Sequence, residues 1–265
     1  MVTEPKPWTE GQLAETRVET GPGWELRLGR WQDVLADVTE CDAVITDPPY
    51  LGAAPQHGGR VNGDGRRDRP GAFPRSRARA KAGAVMGYEP ITADELLGVV
   101  RYASAAARAW SVVFNDFDGV SVMRAAALRG GLVVAEPLVW IKPPALSPPR
   151  GGLALPVKGC EFMMVMRQKA TGEAGYMPGW YGSASSTRPQ DQVLTGGKPV
   201  PLMCAIVRDY SRPGDLIVDP YAGGGTTLLA AAMEGRRAIG AEVDPETFEK
   251  AVKRLRAGIQ VGLFA

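Results

Sequence analysis

The tetrapeptide Asp47-Pro48-Pro49-Tyr50 contains the residue types needed to activate the exocyclic amine of a nucleobase. Such an amine is a poor nucleophile because its lone pair is delocalised into the ring. If the Asp47 carboxylate and the Pro48 carbonyl each accept one amino hydrogen, the nitrogen is drawn toward tetrahedral geometry and can attack. The prolines keep that carbonyl pointed outward, and Tyr50 offers a flat face on which an extruded base can stack. An ordinary Pro-Pro turn is the alternative.

A glycine-rich turn between an apolar strand and a helix is the second site-forming pattern. The predicted strand at 215–218 runs into DPYAGGGTT, whose glycines permit positive φ and let a ligand lie against the backbone. The next strand ends at Glu242, where a carboxylate can accept hydrogen bonds from both ribose hydroxyls of a nucleoside. The absence of Gly-Lys-Ser/Thr argues against a phosphate-binding P-loop. The pattern predicts a cofactor cradle, with a purely structural strand-to-helix junction as the alternative.

Three segments carry a resemblance to a known family: DAVITDPPY, KPVPLM and DPYAGGGTTLLAAAMEGRRAIGAEVDPE. They resemble the DNA amino-methyltransferases, which methylate adenine N6 or cytosine N4 with S-adenosyl-L-methionine. As in the permuted, β-type members of that family, the DPPY motif precedes the glycine-rich motif. The resemblance covers residues 24–50 and 131–257. It implies an α/β, Rossmann-like class I methyltransferase fold, with a mostly parallel seven-stranded sheet and helices on both faces.

The resemblance also implies roles for individual residues, none of them at a metal. Asp47, Pro48, Pro49 and Tyr50 would be catalytic. The methionine part of the cofactor would lie near residues 221–227, with its ribose on Glu242 and its adenine ring near Val243. The complete set of implied cofactor-binding residues is Asp219, Tyr221, Ala222, Gly223, Gly225, Thr226, Thr227, Glu242, Val243, Lys198 and Pro199.

Two segments depart from the family's pattern. After LRLG the family usually has aspartate, whereas this chain has Arg30, with Asp33 nearby but offset. A carboxylate contact from this segment to the cofactor therefore does not carry over. The pair Lys198-Pro199 is preceded by TGG where the family usually has His-Pro-x-Gln or a similar string, which predicts a slightly altered cofactor pocket.

Positive charge is concentrated directly after the tetrapeptide. Residues 58–81 hold eight basic side chains against two acidic ones, although the formal net charge of the whole chain is only +2. This stretch belongs to an insertion at about 51–90, predicted to be mobile, that could fold over a duplex and neutralise phosphates. A solvated, disordered charge run is the alternative. The loops at about 142–197 fall where the family keeps its target-recognition element.

The predicted contacts to double-stranded DNA are basic residues of these two regions, namely Arg60, Arg66, Arg67, Arg75, Arg77, Arg150, Lys158 and Arg188. Arg167 and Lys169 are further candidates. Of the two aromatic candidates in the recognition region, Tyr181 and Trp180, we favour a packing role for Trp180.

Strands that alternate with helices must position these residues, and the alternation predicts a mainly parallel sheet within one catalytic domain at 1–265. Thr92 and Glu95 predict a capping box. Strands are predicted at 24–28, 42–46, 111–115, 133–141, 161–166, 215–218 and 238–243, and helices at 31–38, 91–110, 119–128, 198–211, 228–235 and 245–257.

Composition excludes several classes of function. His57 is the only histidine, which leaves little basis for a hydrolytic triad or a histidine metal site. Three cysteines without a CxxC pair indicate neither a disulfide framework nor a zinc knuckle. No apolar run approaches the roughly 18 to 20 residues of a membrane helix, and the N-terminus has no signal pattern. We therefore expect a soluble, cytoplasmic protein without a membrane partner.

These observations predict a site-specific DNA methyltransferase that transfers a methyl group directly to the amine of a flipped base. Aspartate at the head of the tetrapeptide favours adenine N6. Cytosine N4 and a catalytically inactive DNA-binding relative stay open as alternatives. A methyltransferase acting on protein glutamine agrees less well, because its tetrapeptide usually begins with asparagine and its cofactor motif comes first. A homodimer and a restriction-modification partner are both compatible with this class.

Overall fold

The computed structural model describes residues 17–51, 91–142, 159–168, 177–182 and 197–262. The basic insertion and most of the predicted recognition region lie outside these ranges. All eight predicted DNA-binding residues, and Lys169 with them, also lie outside. The single-domain organisation stays a prediction.

A ten-stranded sheet organises the described residues, so the prediction of seven strands is wrong. Its order is β1-β2-β10-β9-β3-β4-β7-β6-β8, with β5 paired to β7. The strands are β1 (Val18–Gly21), β2 (Trp24–Leu28), β3 (Cys41–Thr46), β4 (Ala107–Asn115), β5 (Val133–Val134), β6 (Leu138–Ile141), β7 (Cys160–Arg167), β8 (Trp180–Gly182), β9 (Leu216–Asp219) and β10 (Arg237–Glu242).

The three additional strands have weak sequence patterns. β1 is a four-residue edge strand of exposed and half-buried residues, paired antiparallel to β2 across a tight turn. β8 has only three residues. The predicted strand at 133–141 is divided into β5 and β6 because Pro137 lies between them and has no backbone N–H for a ladder.

The centre of the sheet confirms the predicted α/β architecture. β2, β10, β9, β3 and β4 are parallel neighbours, and β7 joins β4 antiparallel. A mainly parallel central sheet whose strands are joined through helices is the arrangement that βαβ patterning predicts.

Six helices are described: α1 (Trp31–Val34), α2 (Ala93–Ala106), α3 (Phe117–Arg129), α4 (Val200–Tyr210), α5 (Thr226–Met233) and α6 (Pro245–Gly262). The predicted capping box of Thr92 and Glu95 is confirmed at the start of α2. The helix predicted at 91–110 is too long, because pairing of Ala107 with Cys41 begins β4 directly after α2. α1 is half the predicted length. None of the described helices has the length and apolar character that crossing a bilayer requires.

Helices cover both faces of the sheet, as predicted. Side chains alternate along each central strand. In β3, Ala43 and Ile45 pack in a core cluster with α4, α5 and α6, whereas Val44 packs on the other face in a cluster with α1 and α2. α3 adds Met123 to a third cluster on that second face.

The carboxyl ends of the parallel strands bring polar residues to one edge of the sheet. Thr46, Asn115, Asp219 and Glu242 end β3, β4, β9 and β10. β7 runs antiparallel and begins at this edge, with Phe162 opposite Asn115. Open α/β sheets bind their ligands outside the carboxyl ends of the strands, which makes this edge the place for the site.

Candidate active site

Asp47 follows β3 directly, and its two carboxylate oxygens have different surroundings. Oδ2 accepts a hydrogen bond from the Lys198 ammonium, which also forms a salt bridge with it. Oδ1 is buried and has no hydrogen-bond partner among the described residues. Leaving a buried acceptor unpaired costs about 1 to 3 kcal/mol. Oδ1 is therefore a strong acceptor for a donor that enters the site.

Tyr50 is held by the same lysine and by a second carboxylate. Its hydroxyl donates to Glu161 Oε2 at 2.7 Å, and Lys198 Nζ donates to that hydroxyl at 3.2 Å. Lys198 Nζ also lies 3.1 Å from Glu161 Oε2. Lys142 forms a salt bridge with the other oxygen, Glu161 Oε1. We call Asp47, Tyr50, Lys142, Glu161 and Lys198 the charge cluster, which contains two positive and two negative charges.

Burial and mutual attraction set the ionisation of this cluster. Burial raises the pKa of Asp47 and the charge of Glu161 adds to this, while the charge of Lys198 opposes it. Burial also works against ionisation of Glu161, but the charges of Lys198 and Lys142 lower its pKa to about 2. For Lys198 desolvation is outweighed by Asp47 and Glu161, which raise its pKa. Glu161 and Lys198 are therefore charged at neutral pH, and the protonation of Asp47 responds to both.

The glycine-rich turn joins β9 to α5 in the conformation that the sequence predicts. Gly223 and Gly225 have φ of 51° and 73°, in the left-handed region that favours glycine. Arg254 of α6 holds the turn from outside. Its Nη1 donates to the Gly224 carbonyl at 3.0 Å and to Thr226 Oγ1 at 2.7 Å. The free N–H groups at the start of α5 are thereby fixed in position.

Asp219, the last residue of β9, connects the glycine-rich turn to the tetrapeptide. Its Oδ1 accepts hydrogen bonds from the Thr46 hydroxyl at 2.7 Å and from the Tyr221 N–H at 3.0 Å. Burial raises the pKa of Asp219 to about 6, although hydrogen bonds from Thr227 and Thr46 lower it. Because Thr46 directly precedes Asp47, this contact fixes the distance between the two predicted sites.

A groove of about 450 Å³ lies beside the turn, within the size range of small-molecule sites. Glu242 Oε1 accepts from the Asp244 N–H at 2.7 Å, and burial raises the pKa of Glu242. Trp31 and Tyr221 also line the groove, and Trp31 Nε1 donates to the Tyr221 hydroxyl at 3.1 Å. The lining consists of Gly29, Arg30, Trp31, Gln32, Glu95, Pro220, Tyr221, Ala241, Glu242 and Val243.

The structure places the predicted site residues at one edge of the sheet but distributes some of them differently. The ammonium of Lys198, predicted from the resemblance to bind cofactor, lies in the charge cluster. Pro199 is the N-cap residue of α4. Arg30 lines the groove and Asp33 does not, as expected from the departure in that segment. Glu95 of α2 provides a carboxylate to this wall instead.

The described part of the recognition region changes one prediction. Trp180 is 60% exposed, so the packing role favoured for it is wrong. Tyr181 is the packing residue: it is buried, and its hydroxyl donates to Asp209 Oδ2 at 2.6 Å. Arg167 is the last residue of β7, at the end of the strand far from Glu161. Its guanidinium carbon lies 4.5 Å from the Trp110 ring centroid.

Sequence reasoning missed Lys142, Glu161 and Arg254. Glu161 did carry a usable pattern, because it is an acidic residue near the start of the otherwise apolar strand CEFMMVMR. A carboxylate buried in such a strand requires a partner. Arg254 resembled the solvent-facing charges of an amphipathic helix, and nothing near Lys142 in sequence indicated its partner.

Part of the chain is similar to a known protein family. Residues 166–253 match the N6/N4 DNA methylase family model. The DNA adenine methyltransferase YhdJ of Escherichia coli (strain K12) is 40% identical over 58 residues, which is 22% of this chain and 20% of YhdJ. This chain therefore spans about one fifth of the length of YhdJ. YubD of the same strain is 26% identical over 222 residues, 83% of each chain.

Two solved structures extend the comparison to the fold. The complex of M1.HpyAVI with S-adenosylmethionine has a TM-score of 0.60 at 21% identity, covering 88% of this chain and 98% of the other. The cytosine-N4-specific PvuII DNA methyltransferase has a TM-score of 0.62 at 14% identity, covering 91% of this chain and 92% of the other. The predicted resemblance is confirmed: the chain has the fold of the class I methyltransferases and, over residues 166–253, matches the N6-adenine/N4-cytosine DNA methylase family.

Proposed function

We propose that the protein transfers a methyl group from S-adenosylmethionine to the exocyclic amine of a base flipped out of double-stranded DNA, with adenine N6 as the preferred target. The observation that carries this proposal is the buried, unpartnered Oδ1 of Asp47. It lies at the sheet edge where the glycine-rich turn also opens, and the contact between Asp219 and Thr46 connects the two.

Asp47 and Pro48 would activate the amine. Asp47 Oδ1 accepts one amino hydrogen and the Pro48 carbonyl accepts the other, which concentrates the lone pair on the nitrogen. Tyr50 is suited to stack on the flipped base, because its bonds to Glu161 and Lys198 fix the ring before the base arrives. Holding the nitrogen in an attacking geometry supplies a large part of the acceleration in such reactions.

The groove residues fit the cofactor. The Glu242 carboxylate retains acceptor capacity beyond its bond to Asp244, as two ribose hydroxyls require. Val243 is 48% exposed at the groove and offers an apolar surface for the adenine ring. Gly223, which is half-buried and has a positive φ, offers backbone on which the methionine part can lie. When bound, S-adenosylmethionine supplies an electrophilic methyl group.

The proposed methyl transfer balances in atoms and in charge. The amine nitrogen forms a bond to the methyl carbon as the bond between that carbon and the sulfonium sulfur breaks, and S-adenosylhomocysteine leaves. The methylated nitrogen then loses a proton. Asp47, already hydrogen-bonded to this nitrogen, accepts the proton and passes it to solvent. No covalent enzyme intermediate forms.

Adenine N6 and cytosine N4 present the same amine geometry to Asp47 and Pro48. Aspartate at the head of the tetrapeptide and the similarity to a protein named DNA adenine methyltransferase favour adenine. The similarity in fold to a cytosine-N4-specific enzyme keeps cytosine as the second candidate. An inactive DNA-binding relative would have no need of the unpartnered Asp47 oxygen beside an intact glycine-rich turn.

Contacts to DNA are proposed for the basic residues of the insertion and of the recognition region. Trp180, which is exposed on β8, is the described residue of that region best suited to contact DNA bases or sugars.

The deciding experiment is incubation with S-adenosylmethionine carrying a tritiated methyl group and unmethylated genomic DNA, followed by nuclease digestion and chromatography. Label in N6-methyldeoxyadenosine is the expected result. Label in N4-methyldeoxycytidine would keep the mechanism and change the base. Absence of label in DNA, together with calorimetric proof that the cofactor binds, would overturn DNA as the substrate. An Asp47→Ala variant in parallel tests whether any labelling depends on the proposed carboxylate.

A further inference from the structure

Glu161 belongs to none of the motifs that indicated the site, yet it has three partners in the charge cluster, as many as Lys198. It is 8% exposed. Its Oε1 pairs with Lys142, while its Oε2 accepts from the Tyr50 hydroxyl and pairs with Lys198. One buried carboxylate thus contacts two cations and the tyrosine proposed to stack on the base.

We propose that Glu161, balanced by Lys142, is a positioning residue for methyl transfer: it gives Lys198 a second carboxylate to bind, so that Lys198 neutralises Asp47 only in part and leaves Asp47 Oδ1 a strong acceptor for the target amine. The inference rests on the proposed function. Glu161 does not touch the reacting atoms and acts through Lys198 and Tyr50.

The need for a second carboxylate follows from the donors and acceptors. An ammonium has three donors and no acceptor, and although Lys198 binds only Oδ2, its charge reduces the acceptor strength of the whole Asp47 carboxylate. In an isolated buried pair, Lys198 would direct its full charge at Asp47, and Oδ1 would be a weaker acceptor for the amine. Glu161 Oε2 is already 3.1 Å from Lys198 Nζ. Lys198 therefore divides its charge between two carboxylates, and Asp47 keeps the negative charge with which it attracts an amine hydrogen.

Lys142 neutralises the charge of Glu161 from the side away from Lys198. While Lys198 is shared with Asp47, Lys142 supplies Glu161 with a full counter-charge through Oε1. The same carboxylate holds the Tyr50 hydroxyl, so the orientation of the ring and the position of Lys198 depend on a single side chain. Because Glu161 binds both side chains, the orientation of the Tyr50 ring is coupled to the acceptor strength of Asp47.

The charged and titratable groups facing Asp47 define a test by pH. They are Lys198 before α4, Glu161 on β7 with Lys142 behind it, Tyr50 on the same loop, and Asp219 on β9. Removing the negative charge of Glu161 lowers the pKa of Asp47. Removing the positive charge of Lys142 leaves Glu161 less neutralised and raises the pKa of Asp47. The two single substitutions therefore act in opposite directions.

The experiment measures kcat, KM and kcat/KM against pH for the wild type, Glu161→Gln and Lys142→Gln. We expect the acidic limb of the kcat/KM profile to move to lower pH in E161Q and to higher pH in K142Q. On the plateau, kcat of E161Q falls by about tenfold or more, the scale of a misplaced reacting group. The dissociation constant of S-adenosylmethionine stays unchanged. Glu136→Gln and Lys250→Gln, in exposed ion pairs elsewhere, are the matched controls.

A measurement that does not depend on methyl transfer tests this inference separately from the proposed function. Carbon-13 NMR of the side-chain carboxyls, assigned with Asp47→Asn, gives the pKa of Asp47 in the free protein, and the same opposite shifts are expected there. If the wild type transfers no methyl group, the proposed function fails and the positioning role fails with it. If the wild type is active but both variants shift the limb in one direction, or E161Q keeps its full kcat, only this inference fails. If E161Q does not fold, K142Q decides: an upward shift supports the inference and no shift overturns it.

Discussion

The groove beside the glycine-rich turn and the charge cluster around Asp47 lie at the same sheet edge but are built differently. The walls of the groove come from residues 29–32 after β2, Glu95 of α2, residues 220–221 after β9 and residues 241–243 at the end of β10. The charge cluster combines residues 47–50, 142, 161 and 198, brought together from four separate segments. Both regions form only when the sheet assembles, but the glycine-rich turn beside the groove is encoded by one continuous segment, whereas the ionic partners of Asp47 come from separate segments.

The two regions also depend on different physical terms. The groove works through backbone conformation and a few hydrogen bonds, whose loss weakens binding by modest amounts. The charge cluster works through ion pairs in a buried setting, where removal of one partner leaves others uncompensated. Substitutions in the cluster should therefore reduce the rate while sparing cofactor affinity, and substitutions in the groove should do the reverse.

The largest effect is expected from Asp47→Asn, which preserves shape but removes the charge that accepts the amine. The rate of methyl transfer should fall by about 10²- to 10⁴-fold, the range for loss of a general base. Calorimetric affinity for S-adenosylmethionine should stay within error of the wild type. Asp33→Asn, next to the groove but not lining it, is the control. If D47N transferred methyl groups at the wild-type rate, the proposed mechanism would be wrong. If D47N lost affinity for S-adenosylmethionine, the charge cluster and the groove would not be functionally separate.

Asp219 connects the two regions, and its ionisation should make the free energy of unfolding depend on pH. Its pKa is raised from 3.8 to about 6 by burial, so the native state binds more protons than the unfolded state between these values. The burial penalty is therefore present above pH 6 and disappears below about pH 4. Asp219→Asn does not titrate. The free energy of unfolding of the wild type relative to D219N should rise by about 2 kcal/mol as the pH falls from 7 to 4.

Urea unfolding at several pH values between 4 and 7 measures this difference. Asp118→Asn, at an exposed position on α3, is the matched control. A difference between wild type and D219N that does not change with pH would mean that Asp219 ionises as readily in the native state as in the unfolded chain. The hydrogen bond from Thr46 would then be made to a carboxylate that is solvated well enough to carry its charge at no cost.

A smaller effect is expected in the groove. Glu242→Ala should weaken binding of S-adenosylmethionine by about 1 to 3 kcal/mol, the cost of unpaired polar groups. At saturating cofactor its kcat should approach that of the wild type, because the charge cluster is intact. Glu246→Ala, exposed on α6, controls for the loss of an acidic side chain nearby. Unchanged calorimetric affinity would remove Glu242 from the ribose, and a lower kcat at saturation would show that the two regions are coupled.

The same difference in construction explains how much the sequence alone could predict. The glycine-rich turn, its flanking strand and helix, and the cap at Thr92 follow from local spacing, and the structure has them. β1 was missed because VETG has a single apolar residue, and β8 because its three residues are too few to show a pattern. The partners of Asp47 were missed because they depend on β7 running antiparallel beside β4, which no local pattern specifies.

The smallest effect on cofactor binding should come from Gly225→Ala, for which Gly214→Ala is the matched control. Both glycines have positive φ, of 73° and 89°, so alanine should cost each about 1 to 2 kcal/mol of stability. They differ in surroundings, because a Cβ at Gly225 would lie 3.2 Å from Leu255, whereas nothing lies within 4 Å at Gly214. The additional crowding would shift the turn against α6, so G225A should bind S-adenosylmethionine several-fold more weakly and G214A should not. Equal affinities in calorimetry would mean that the left-handed turn serves the fold only, and that the groove relies on Glu242 and its neighbours to hold the cofactor.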